Sequence, residues 1–221
     1  MRKEIIMNRS KIDTKKIVGI AVFAALAYGI TFVFRIPVGF LTFDAKDALI
    51  AVASFMYGPI AAVLMSLIAS LLELTISDTA LIGALMNFVS SAAFSGTAAL
   101  IYKYKRTFNG AIIGIFSAVA VTTAVMMVMN VLITPIYMGV DRSIVISMLP
   151  TLLLPFNFAK SLMNGAIAML IYKPIAVAMR RAKLVTGGTM DTRFTKQSVV
   201  TLVVGAISLA LAITIFVILN T

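Results

Sequence analysis

The chain contains no cysteine and no histidine, and only eight of its 221 residues are acidic. Without cysteine there are no disulfides and no thiolate chemistry, and without histidine the commonest general base and metal ligand is missing. An enzyme built from this sequence would have to work with carboxylates, serine or lysine, and its few carboxylates do not face one another within apolar segments. No catalytic residue, metal site or cofactor is expected. A G-x-x-x-x-G-K-[ST] phosphate loop is also missing, so energy for uphill work has to come from elsewhere. No fixed-period repeat is evident, and the halves carry no matching pair of interrupted helices.

What the chain has is apolar surface. It is 61% hydrophobic and 12% charged, with a mean hydropathy of +1.07, more than one soluble core can hide. This is the composition of an all-α integral membrane protein. A formal charge of +11 and a pI near 10.1 would suggest nucleic acid in a soluble protein. Here the placement of the basic residues points to a membrane face instead, and no nucleic-acid partner is expected.

Apolar runs cover Ile17 to Phe34, Ala48 to Tyr57, Pro59 to Leu74, Thr79 to Tyr102, Gly110 to Met138, Leu149 to Tyr172 and Val199 to Leu219. The first is longer than the apolar core of a signal peptide, roughly 7 to 15 residues, and Arg35-Ile36-Pro37 follows it with no small-residue cleavage pattern. The second, about 15 Å at 1.5 Å per residue, is too short to span alone and reads as half-embedded or strongly tilted. Fifteen of the 19 basic residues fall on one side when the runs alternate, which puts the amino terminus in the cytoplasm, Gly58-Pro59 in a tight inner turn and the carboxyl terminus outside. Asp44, Asp47, Glu73, Asp78 and Asp141 then belong to outer loops. The expected organisation is a basic arm over 1–16, a six-helix bundle over 17–181, a polar linker over 182–198 with Gly187-Gly188 in it, and an appended transmembrane helix over 199–221.

Polar residues within the runs are few and expensive in lipid: Asn87, Asn130, Asn157, Lys160 and Asn164. Counted from the outer ends, Asn87, Asn130 and Asn157 sit roughly 10 to 12 Å deep and Lys160 about 15 Å, so three helices bring polar groups to one level. Positions 157, 160 and 164 share one helix face that has to turn toward the bundle interior. A lone Asn equally serves to hold two helices together, and Lys160 equally suits an ion pair with Glu73 or Asp47, or snorkelling. Pro135, Pro150 and Pro155 stand where they kink helices and free carbonyls, or simply mark helix ends. Phe43, Phe88, Tyr137, Phe156 and Phe158 offer flat walls at the same level, or ordinary packing. Planar walls with amide and ammonium groups suit a flat organic molecule that is uncharged or weakly anionic. Small residues line one stripe of the first run, Ala21, Ala25 and Gly29, and similar stripes run through Ala62, Ser66 and Ser70 and through Ser91, Ser95 and Ala99. Such stripes allow close helix approach, within the bundle or to a partner subunit.

Between the first two runs lies the charged connector Leu41-Thr42-Phe43-Asp44-Ala45-Lys46-Asp47, above the polar level. Together with Phe55-Met56-Tyr57-Gly58-Pro59, Ala84-Leu85-Met86-Asn87-Phe88, the stretch from Asn130 to Tyr137 and the stretch from Pro155 to Lys160, it resembles the substrate-binding S components of energy-coupling factor (ECF) vitamin transporters, most closely their riboflavin-specific RibU group. The resemblance covers about Lys16 to Arg181. It implies a six-helix S component in a bacterial cell membrane that takes its vitamin from outside and delivers it within a complex of a transmembrane T component and two cytoplasmic ATPases. It further implies that Leu41, Thr42 and Phe43 close over the isoalloxazine of riboflavin. Asn87, Asn130, Asn157 and Lys160, with Tyr137 and Asn164 beside them, would line its pocket, and Ala21, Ala25 and Gly29 would face the T component. Asp44, Lys46 and Asp47 are expected as a solvated hinge, with Asp47 capping the second helix. Folate, thiamine or pantothenate on the same scaffold remain open. So does a stand-alone carrier coupled to protons or sodium through Glu73, Asp78 or Asp47.

Overall fold

The computed structural model describes residues 14–76, 80–184 and 196–220. Its helices are α1 (Thr14–Val33), α2 (Lys46–Tyr57), α3 (Pro59–Leu72), α4 (Ala80–Tyr104), α5 (Phe108–Met138), α6 (Arg142–Met148), α7 (Leu154–Arg181) and α8 (Lys196–Asn220). Five helical stretches, with 142–181 counted as one, are long and apolar enough to cross a membrane. The chain is thus a helical multi-pass membrane protein, as its composition predicts. Most of the basic arm and most of the polar linker lie outside the described residues, as does Asp78.

The first correction concerns the connector. Rather than a loop, it is an antiparallel hairpin of β1 (Arg35–Val38) and β2 (Leu41–Asp44), with Arg35 opposite Asp44 and Val38 opposite Leu41. Gly39, at φ +58°, supplies the positive φ that a two-residue hairpin turn demands at its first central position. Leu149–Leu153 form a single π turn containing Pro150, so the sixth run is this turn followed by α7, which continues to Arg181, and α6 precedes it in the stretch between the fifth and sixth runs.

Helix α2 is the hub. Ten of its twelve residues are buried, which fits a helix apolar nearly all round. On one side Ile50, Ala53 and Tyr57 join a core with Phe23, Ala24 and Ala27 of α1, Ala61, Met65 and Ala69 of α3, and Met179 of α7. On the other, Ala48, Ala51, Val52 and Phe55 meet Phe94 of α4, Ile115 of α5 and Met163 of α7. The chain reverses from α2 into α3 at Gly58, whose φ of +90° suits glycine, and Pro59 opens the next helix where its missing N–H costs nothing. At 12 and 14 residues, α2 and α3 reach only about 18 and 21 Å, so their ends leave space within the bundle at the hairpin end.

The stripes of small residues divide. Ala62, Ser66 and Ser70 on α3 and Ser91, Ser95 and Ala99 on α4 are buried inside the bundle. Ala21, Ala25 and Gly29 lie on the exposed face of α1, opposite the buried Phe23, Ala24 and Ala27. The appended helix α8 packs along α7, with Ala212 buried and Leu170 of α7 close to Gly205.

Candidate functional site

A cavity of about 540 Å³ opens at the hairpin end of the bundle, a size that suits a small organic molecule. Its apolar wall includes Ile82 and Met86 of α4, Met126 and Ile133 of α5, and Phe156 of α7. The hairpin contributes Leu41 and Thr42, and Tyr137 adds an aromatic edge with a hydroxyl. Asn87, Asn130, Asn157 and Lys160 all line this one space, so the common depth inferred from helix length corresponds to a common wall.

Each of these groups has a protein partner. Asn130 donates from Nδ2 to the Met126 carbonyl at 2.7 Å, and its Oδ1 accepts from the Thr134 hydroxyl at 2.9 Å. Asn157 donates to the Leu153 carbonyl at 2.7 Å, within the stretch that the π turn distorts. Asn87 donates to Glu73 Oε2 at 2.8 Å. Lys160 Nζ lies 2.8 Å from Asp44 Oδ2 and 3.1 Å from the Thr42 carbonyl, tying α7 to β2. Its carboxylate partner is therefore Asp44, rather than the Glu73 or Asp47 that the sequence offered.

A charge network that the sequence does not suggest runs from the cavity wall, where Asp44 and Glu73 stand, to Lys46 and Asp47 behind it. Lys46 Nζ, 1% exposed as a residue, is 2.7 Å from each oxygen of Glu73 and 3.6 Å from Asp44. The Ser91 hydroxyl donates to Asp47. Asp44 also accepts the Lys46 backbone N–H at 3.3 Å. Burial would raise the Asp44 carboxyl, but Lys160 and then Lys46 outweigh it and hold the group down at about 2.

Three expectations are corrected here. Asp44, Lys46 and Asp47 are buried rather than solvated, because each finds a partner only in the interior. Asp47 does not cap α2: the N-cap position is Ala45, with no side-chain cap bond, and Asp47 lies within the first turn. Glu73 is no loop residue but is buried in the 3-10 turn that ends α3.

Two predicted contact residues stand elsewhere. Phe43 is 2% exposed and is not among the cavity's lining residues; it is buried in the apolar core instead, whereas Leu41, Thr42 and Asp44 of the same strand line the cavity. Asn164, fully buried beyond the cavity, donates to the Asp44 carbonyl and accepts from the Ala48 N–H, each at 2.9 Å. It joins the hairpin's end to the start of α2. Of the aromatics, Tyr137 and Phe156 line the cavity, whereas Phe88 and Phe158 are not among its lining residues.

Sequence reasoning missed Thr31, Phe40, Ser90 and Thr134. A signal existed on α5, where Asn130, Ile133, Thr134 and Tyr137 follow the i, i+3, i+4, i+7 rule and face the cavity together. The hairpin side chains had no such helical signal.

Comparison with known proteins converges on one assignment. A family described as ECF transporter, substrate-specific component, matches residues 15–176. The riboflavin transporter RibU of Staphylococcus aureus (strain TCH60) is 30% identical over 179 residues, which cover 76% of this chain and 94% of the relative. A solved S component of a bacterial ECF transporter superposes with a TM-score of 0.65 at 29% identity, covering 76% of this chain and 98% of its own. With a helical membrane bundle, a cavity at one end and most of the chain matched, the protein belongs to the substrate-specific components of ECF transporters.

Proposed function

We propose that this protein is a riboflavin-binding S component that captures the vitamin in the cavity beneath its hairpin. The observation that carries the reading is the cavity itself: about 540 Å³, walled by Met, Ile and aromatic side chains, with three carboxamides, the Lys160 ammonium and its partner Asp44 among the lining polar groups. Apolar faces cover a flat tricyclic ring, and the carboxamides satisfy ring-edge and ribityl groups that would otherwise lose their water. Asn157 uses one N–H on the Leu153 carbonyl, which leaves its second N–H and its Oδ1 to a ligand. Leu41 and Thr42 form the ligand-facing part of the lid, and Lys160 joins that lid to α7.

Orientation follows from charge. Lys103, Lys105, Arg106, Arg180 and Arg181 stand at or just beyond the helix ends opposite the cavity, so the positive-inside rule places the cavity outward and the amino terminus in the cytoplasm. The end of α8 beside the hairpin supports a carboxyl terminus on the same outer side. The outward stripe Ala21, Ala25 and Gly29 is unused by the bundle's own packing and suits close approach by a T component. Two cytoplasmic ATPases would supply the energy, since the chain has no phosphate loop. A stand-alone ion-coupled carrier is less well supported, because Glu73 is bound by Lys46 and Asn87, and Asp47 by Ser91.

Titrating riboflavin with the purified protein tests the reading through flavin fluorescence. Saturable quenching at micromolar ligand or below is the expected result, and unchanged fluorescence over that range overturns it. Folate, thiamine or pantothenate found by mass spectrometry in the purified protein would move the assignment to another vitamin.

A further inference from the structure

The family match ends at residue 176, whereas α8 begins at Lys196. This added helix does more than lie against the bundle. Its backbone runs close to α7, since a Cβ at Gly205 would stand 3.2 Å from the Leu170 side chain, and Ala212 is fully buried in the core that contains Phe43. Near its end Phe216 meets Phe43 of the hairpin edge to face, with ring centroids 6.1 Å apart. Phe216 and Leu219 pack on that same core.

The hairpin is therefore held from two sides. On its inner face Lys160 binds Asp44 and the Thr42 carbonyl; on its outer face Phe43 rests on α8. An isolated two-stranded hairpin is marginally stable at best, so what packs on it decides how often it opens. Lifting β2 off the cavity would displace Phe43 from its seat on Phe216 and disturb the apolar, edge-to-face contact between the two rings. We propose that α8 is a clamp on the lid: through Phe216 against Phe43 it holds the hairpin over the cavity and slows release of the bound molecule. Phe216 is a positioning residue in this scheme, because it touches the lid and not the cavity. The release part of the proposal rests on the riboflavin reading; the clamp itself does not.

Two measurements on the full-length protein keep those parts separate. Hydrogen–deuterium exchange of the hairpin amides over 35–44, without ligand, reads lid opening directly. Stopped-flow flavin fluorescence reads association and release. In Phe216→Ala the hairpin amides should exchange faster and riboflavin should leave about tenfold faster, with association changed far less. Phe216→Leu should restore most of both. Val217→Ala, on the same turn but 53% exposed, should leave both at the wild-type level. Unchanged hairpin exchange in Phe216→Ala overturns the clamp, as does an equal effect from Val217→Ala, which would report general loosening of α8. Should the wild type fail to bind riboflavin while Phe216→Ala still speeds hairpin exchange, the clamp stands and the riboflavin reading falls.

Discussion

Asn157 and Asn164 lie two turns apart on one face of α7, and in an apolar segment they look alike. Asn157 lines the cavity and spends one N–H on its own helix, at the Leu153 carbonyl. Asn164, buried further along the helix, also donates to its own helix at the Lys160 carbonyl but in addition joins other elements, accepting from Ala48 at the start of α2 and donating to the Asp44 carbonyl at the end of β2. The two buried lysines differ likewise: Lys160 stands at the cavity wall, whereas Lys46 is enclosed behind Asp44 and Glu73, which line the cavity. Polar groups in this bundle therefore do two jobs. Asn157 keeps capacity for a ligand, Asn164 and Lys46 brace the site, and Lys160 and Asn87 do both, lining the cavity while bonding to another element.

The largest effect that can break this division comes from Lys46→Met. It would leave Glu73 buried without its cation and Asp44 with Lys160 alone, an error that costs about 3–5 kcal/mol when one partner of a buried pair is removed. Unfolding in detergent should show that loss, and Lys46→Met combined with Glu73→Met should recover much of it, since a packed apolar pair tolerates burial. A single variant as stable as wild type would mean that the network does not brace the site.

Next in size is the contrast within α7. Asn164→Leu strips partners from the Ala48 N–H and the Asp44 carbonyl, so a stability loss of about 2–3 kcal/mol is expected. Asn157→Leu should change stability by about 1 kcal/mol or less, yet raise the riboflavin Kd about tenfold to a hundredfold through a cavity group that no longer pairs. Calorimetry and flavin titration on both variants would sharpen the comparison. Equal stability losses, or unchanged riboflavin affinity in Asn157→Leu, would break it.

Much of the fold was legible because hydrophobic length and basic-residue placement are properties of local sequence. The runs at Ala48–Tyr57 and Pro59–Leu74 correspond closely to α2 and α3, and the short second run is indeed a helix that does not span alone. The level shared by Asn87, Asn130 and Asn157 was legible for the same reason, since helix rise converts position into depth. The hairpin was not: eight strand residues carrying Arg35, Pro37 and Asp44 show no clean alternation of polar and apolar side chains, and their pairing is set by the turn at Gly39 and by contacts far along the chain. Nor was the burial of Phe43, which depends on a helix more than 150 residues away. Asp44, Lys46 and Glu73 read as solvent-facing because charge usually is; only long-range pairing makes their burial tolerable.

The smallest effect separates Asp44 from the rest of the brace. Its carboxyl, ordinarily near 3.8, is held at about 2 in the folded protein by Lys160 and Lys46 against the cost of burial. A folded-state value below the unfolded one means that ionised Asp44 stabilises the fold, with the contribution fully present above the unfolded value and lost as pH falls through the folded one. The shift corresponds to at most about 2 kcal/mol. Comparing the unfolding free energy of wild type with that of Asp44→Asn should therefore give a constant gap above about pH 4 that closes as pH falls to about 2. Subtracting the variant removes the carboxylates common to both proteins, so parallel curves down to pH 2 would mean that the Lys160–Asp44 tie adds no stability of its own. In that case the hairpin would be held on its inner side only through its carbonyls, at Thr42 by Lys160 and at Asp44 by Asn164.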